Sequence, residues 1–101
     1  MLDKVHAKLI TIIASSELQD RIEADLRRLG APGYTLFAVD GHGKHRTRKR
    51  GLLESGNVRF EAVVSSQVAE TLLEYVEREA QSAHLLAFSH DVDAVPRSRF
   101  A

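Results

Sequence analysis

Twice along this chain a run of β-branched and apolar residues gives way, within a few positions, to an apolar stripe of helical period. That repeated change of period constrains the fold more than any other feature. Lys8–Ala14 (KLITIIA) predicts a buried strand. Leu18, Ile22, Leu26 and Leu29 then fall at i, i+4, i+8 and i+11, one face of a helix. Ser16 and Gln19 have the spacing of a capping box, and Arg27 and Arg28 suit the negative end of the helix dipole. Gly30 suits the left-handed position just past the helix end. Pro32-Gly33 predicts a turn, and Tyr34–Asp40 (YTLFAVD) a second strand.

The second unit repeats the scheme. Val58–Ser65 (VRFEAVVS) alternates and then turns wholly apolar, which predicts a third strand. Ser65 or Ser66 caps a helix whose stripe is Val68, Leu72, Val76 and Ala80, with Glu70, Glu74, Glu77 and Glu79 mainly outside. Leu85–Ser89 predicts a short fourth strand, and residues 90–101 a C-terminal segment. The order β-α-β-β-α-β is that of α+β, ferredoxin-like folds. Right-handed crossovers would place both helices on one face of a four-stranded antiparallel sheet, with a long loop between strands 2 and 3. At 101 residues the chain is expected to be a single domain, residues 1–101. The other sheet face would be uncovered. With Ile10, Ile12, Leu36 and Val63 taken as spread over both faces, oligomerisation through that face is expected.

Gly41–Gly56 (GHGKHRTRKRGLLESG) lies between the second and third strands and has neither a strand nor a helix period. It carries Lys44, Arg46, Arg48, Lys49 and Arg50 against the single acid Glu54, a net charge of +4 in a chain whose net charge is zero. A basic loop on an acidic body favours a compact anionic ligand or an acidic patch over a broad polyanion. Gly41 and Gly43 can bring backbone N–H groups close to an oxyanion. Arg46 and Arg48 offer bidentate forks, and Lys44 a point charge. Arg97 and Arg99 would form a second cationic wall if the tail folds over the same cleft. The bland alternative is a solvated charged loop. Arg59 and Glu61 alternate onto one side of strand three, either as an exposed ion pair or as ribose or phosphate contacts.

Other chemistries are poorly served. There is no cysteine, no GxxxxGK[ST] and no plausible Ser–His–Asp arrangement, so the chain is not expected to be an enzyme. His42 and His45 lack a third ligand and sit among cations, which argues against a metal. Asp91 and Asp93 fit a solvated turn better than a cation site. No apolar run approaches membrane-spanning length and no signal peptide is evident, so a cytoplasmic protein is expected. A small nucleic-acid-binding domain using the basic loop is the alternative. It lacks aromatics beside the loop for base stacking, so no nucleic-acid partner is expected.

From Lys8 to Arg99 the chain resembles the PII signalling superfamily. The resemblance rests on KLITIIA, on Gly33-Tyr34-Thr35, on GHGKHRTRKRG, on Asn57–Val64 (NVRFEAVV), and on DAVPRSR with its two arginines separated by one residue. It is nearer to the PII-like branch associated with bicarbonate transport and carboxysomes (SbtB-like proteins) than to nitrogen-sensing PII. The resemblance implies a homotrimer that binds adenine nucleotides in clefts between subunits, with no prosthetic group. It implies Thr35 near the adenine. Gly41, Gly43, Lys44, His45, Arg46 and Arg48 would contact ribose and phosphates from the base of a T-loop, and Arg97 and Arg99 would reach phosphates from the tail. Ala80–Leu85 (AQSAHL) stands where nitrogen-sensing members have a glycine-rich phosphate loop, so ADP, AMP or cyclic AMP is expected rather than ATP. That shortening also argues against the nitrogen-type PII reading, and the loop has no tyrosine to modify. His45 replaces an arginine of the transporter-linked branch. The implied role is regulation of a bicarbonate transporter or carboxysome component through a ligand-ordered loop. Bicarbonate is a conceivable second ligand of the cationic site.

Overall fold

The computed structural model describes residues 2–31, 33–39 and 56–100. Strands β1 (Val5–Ser15), β2 (Thr35–Val39), β3 (Asn57–Val64) and β4 (Leu85–Ala94) alternate with helices α1 (Gln19–Arg28) and α2 (Ser66–Glu79) as expected. They form one four-stranded sheet in the order β2-β3-β1-β4, with every neighbouring pair antiparallel. This is the ferredoxin-like α+β arrangement. Among the described residues no helix is long and apolar enough to cross a membrane.

Strand alternation divides the sheet cleanly. Ile10, Ile12 and Ala14 of β1, and Val58, Phe60, Ala62 and Val64 of β3, point to the helix side and are buried. There they meet Ile22 and Leu26 of α1 and Ala69, Leu72, Tyr75 and Val76 of α2 in one cluster. The helices are tied to each other at their outer surface as well. Tyr75 Oη donates to Asp25 Oδ2 at 2.6 Å, and Arg21 pairs with Glu79. Burial and then that hydrogen bond hold the Tyr75 hydroxyl above its usual pKa.

The helix ends differ from each other. Ser65 caps α2 by accepting the Val68 N–H at 3.1 Å, as its sequence indicates. The capping box of Ser16 and Gln19 does not form. Ser16–Leu18 instead winds a 3-10 turn, and Leu18 occupies the N-cap of α1 without a side-chain bond. At the other end of α1 the chain leaves through a Schellman motif. Gly30 has φ +104°, its N–H reaches Arg27 O at 3.3 Å, and Ala31 N–H reaches Leu26 O at 2.8 Å. A Cβ on Gly30 would also lie 3.3 Å from Val68 Cγ2. Gly30→Ala is therefore expected to cost about 1–2 kcal/mol, because an L side chain is strained at that φ. A urea midpoint unchanged by the substitution would contradict this.

One expectation needs correction. β4 continues beyond Ser89 through His90–Ala94, so Asp91 and Asp93 are strand residues and not a turn. Its polar half is held by cross-strand ion pairs: Lys8–Asp91 at 2.7 Å, Lys4–Asp93 at 3.2 Å, and His6–Asp93. Hydrogen bonds from Lys8 and Lys4 hold the Asp91 and Asp93 carboxyls below the usual carboxylate range. The four apolar residues do divide between the faces: Ile10 and Ile12 lie on the helix side, as does Leu36, which stands opposite Phe60, while Val63 is on the other side. The apolar residues of the uncovered face include Leu9, Ile13, Phe37, Val63, Leu86 and Phe88. Phe37, Leu86 and Phe88 are exposed there at 41%, 52% and 41%, too much for a sheet face meant to meet water.

Candidate functional site: two cationic ends and an open sheet face

The register locates the two points where the basic stretch joins the sheet. Val39 pairs with Asn57, Asn57 with Ser15, and Ser16 N–H donates to Gly56 O at 2.9 Å. The segment joining β2 to β3 therefore leaves the sheet beside the end of β1. The α2–β4 connection arrives at the same place, since Ser15 N–H donates to His84 O at 3.2 Å. The short AQSAHL turn is thus a neighbour of the loop base. Gly41, Gly43, Lys44, His45, Arg46 and Arg48 lie outside the described residues.

Arg97 and Arg99 lie at the other end of the molecule. They occupy a 3-10 turn, Arg97–Arg99, just after β4, whose last residue Ala94 pairs with Val5 at the start of β1. From Val5 to Ser15 β1 runs ten residue steps, about 33 Å at ~3.3 Å per residue. Within one chain the tail turn does not fold over the loop base, so the condition on which Arg97 and Arg99 would wall the same cleft is not met by one chain's loop base and tail. The loop base, where Val39 pairs with Asn57, and the tail turn are thus separated by the length of β1. Arg97 is also engaged: its Nε–H donates to Asp3 Oδ1 at 2.9 Å, and its Nη2 donates to the Lys4 carbonyl. Among the described residues Arg99 makes no ion pair or side-chain hydrogen bond.

The other candidates sit on the uncovered face. Thr35, Glu61, Thr11 and Phe88 form one cross-strand row, and Phe37, Arg59, Ile13 and Leu86 the next. Arg59 pairs with Glu61 two residues along the strand, and its guanidinium lies 5.6 Å from the Phe37 ring centroid. Arg59 Nε is buried with no hydrogen-bond partner among the described residues. Thr11 is 1% exposed beneath these side chains. Thr35 itself is exposed, in the row next to Arg59.

Two concavities among the described residues do not suit a phosphate. The groove between α2 and β4 is rimmed by Glu70, Glu74 and Glu77 over a floor of Leu73, Leu85 and Ala87. A second, beside His6, carries Asp91 and Asp93. Both present carboxylates to an incoming anion. Among the described residues there is no cluster of three or more metal-ligating side chains.

The family model described as nitrogen regulatory protein P-II matches residues 7–100. The chain belongs to the P-II family. Solved structures agree with that placement over nearly the whole length of this P-II chain. A PII-like signalling protein from Thermus thermophilus is 32% identical, with a TM-score of 0.82, covering 99% of this chain and 100% of that one. CPII from Thiomonas intermedia K12, a nitrogen regulatory PII-like protein, gives a TM-score of 0.87 at 21% identity, covering 99% of this chain and 98% of that one. That structure was determined with ADP, AMP and bicarbonate bound. Another of the same protein, with ADP and bicarbonate, matches at 22% identity, with complete coverage of both chains and a TM-score of 0.85. No match was found among curated proteins.

Asp3 and Lys4 stand more than 90 positions from Arg97, so nothing local announces their contact. Phe37 and Phe88 could have been found by following strand parity from Phe60, which faces the helices.

Proposed function

We propose that this PII-like regulator binds adenine nucleotide between copies of itself, in a homotrimer assembled through the uncovered sheet face. ADP, AMP or cyclic AMP fits better than ATP, because the short Ala80–Leu85 turn beside the loop base offers no glycine-rich cradle for a third phosphate. Thr35, Arg59 and Glu61 would serve the nucleoside side of the cleft. Gly41, Gly43, Lys44, His45, Arg46 and Arg48 from one copy, and Arg97 and Arg99 from its neighbour, would meet the phosphates. Bicarbonate would share the cationic site. The nucleotide would bias the conformation that residues 41–56 present to a protein partner, by as much as its affinity differs between conformations. A bicarbonate transporter or carboxysome component is the partner proposed, in the cytoplasm.

The observation that carries this reading is family membership across residues 7–100, joined to a relative crystallised with ADP, AMP and bicarbonate. The separation of the loop base from Arg97 and Arg99 by the length of β1 supports the intersubunit position. Calorimetric titration with ADP, AMP, cyclic AMP and ATP, each with and without bicarbonate, tests it. At a hundredfold excess over Kd, nucleotide should stabilise the fold by about 2.7 kcal/mol, raising Tm on the order of 10 °C. Arg46→Ala/Arg48→Ala should abolish that rise while leaving the ligand-free Tm within about a few degrees. Absence of heat and of any Tm rise with all four nucleotides would sink the proposal.

A further inference from the structure

We propose that Asp3 is the internal counter-ion of Arg97 and sets how tightly the chain holds an anionic nucleotide. The inference rests on the nucleotide reading above and adds a residue that reading does not use. The two arginines of the tail are not equivalent. Arg99 is unpaired among the described residues, whereas Arg97 commits Nε–H to Asp3 Oδ1 at 2.9 Å and Nη2 to the Lys4 carbonyl. Those two bonds hold the guanidinium against the start of β1 and leave its other N–H groups available. They also set a full negative charge against it.

Neighbouring charges do not relieve Arg97 of this counter-ion. Lys4 Nζ is committed to Asp93 Oδ2 at 3.2 Å, and His6 pairs with the same carboxylate. Asp3 is the one acid paired with Arg97 among the described residues. A phosphate that approaches Arg97 therefore meets a pair whose charges largely cancel, and it must compete with a carboxylate already in place. Asp3 is 76% exposed and Arg97 49%, so the competition is that of a surface ion pair: modest and sensitive to salt. Asp3 is in this sense a positioning residue that also lowers affinity, holding Arg97 ready while keeping nucleotide exchange easy.

Asp3→Asn separates the two roles, since an amide oxygen still accepts from Nε–H while the charge is gone. In the full chain at low salt, Asp3→Asn is expected to tighten ADP about two- to fivefold, the change an exposed ion pair supports. AMP, with less charge, should gain less. The gain should shrink as salt rises and vanish in an Arg97→Gln background, as a double-mutant cycle requires. Should Arg97→Gln weaken ADP while Asp3→Asn leaves it unchanged or weaker, the counter-ion role is wrong and the nucleotide site stands. ADP binding indifferent to Arg97→Gln overturns the proposal and removes Arg97 from the site. Failure of wild type and every variant to bind ADP overturns both readings together.

Discussion

Phe88→Asp is expected to leave the chain folded but monomeric, and to abolish ADP binding with the assembly. Phe88 sits on the uncovered face, 41% exposed, in the cross-strand row of Thr11, Glu61 and Thr35. In an isolated chain the new carboxylate would be solvated. Its cost there is that of an acid at a strand position, about 1 kcal/mol or less. Packed against sheet faces of neighbouring copies it would lose its solvation, between Leu86 and His90 on its own strand. Threefold symmetry would repeat that charge in every subunit. The contrast between a small folding cost and a large association cost is what makes the variant informative. Light scattering should report one chain where wild type shows three, with far-UV circular dichroism unchanged.

Loss of binding should accompany it because of distance. The loop base and Arg97 are separated by the length of β1, so the two groups of the proposed site are expected to come from different copies. A monomeric Phe88→Asp that still binds ADP at wild-type affinity would move the site into one chain. A wild-type monomer would show that the apolar face is not an interface with copies of this chain.

How far the sequence could carry this picture depended on what stabilises each segment. β1, β3 and both helices bury apolar side chains at regular periods, and that periodicity is written locally. The polar half of β4 has no such signature. Asp91 and Asp93 extend the sheet because Lys8 and His6 stand opposite them on β1 and Lys4, just before it, also pairs with Asp93, a relation between positions more than 80 residues apart. The same holds at the site. The cations of 41–50 are evident from composition, whereas the tie of Arg97 to Asp3 and the stacking of Arg59 on Phe37 arise from register alone. Ser16 shows the converse error. Its spacing to Gln19 satisfied a local rule, yet a 3-10 turn intervenes where the Ser16 N–H is drawn to Gly56 O.

Phe60→Ala should give the largest loss of stability of any single core truncation, and its effect should be separable from binding. Phe60 is 1% exposed at the centre of the helix-side face, opposite Ile12 on one side and Leu36 on the other. Its ring meets Tyr34 edge-on, with centroids 5.6 Å apart. Truncation removes that contact and leaves a cavity beneath two helices that are already tied together by Tyr75–Asp25 and Arg21–Glu79, so collapse around it is restricted. The expected cost is about 3–5 kcal/mol, a large share of a small domain's total stability. In thermal melts this corresponds to a fall on the order of 15–30 °C. Phe60 flanks Arg59 and Glu61 in sequence but points to the opposite side of the sheet, so at temperatures where the variant remains folded its ADP affinity should match wild type. A fall of only a few degrees would mean that the helices close over the vacated space. Unchanged stability with weakened ADP would instead put this ring in the binding site.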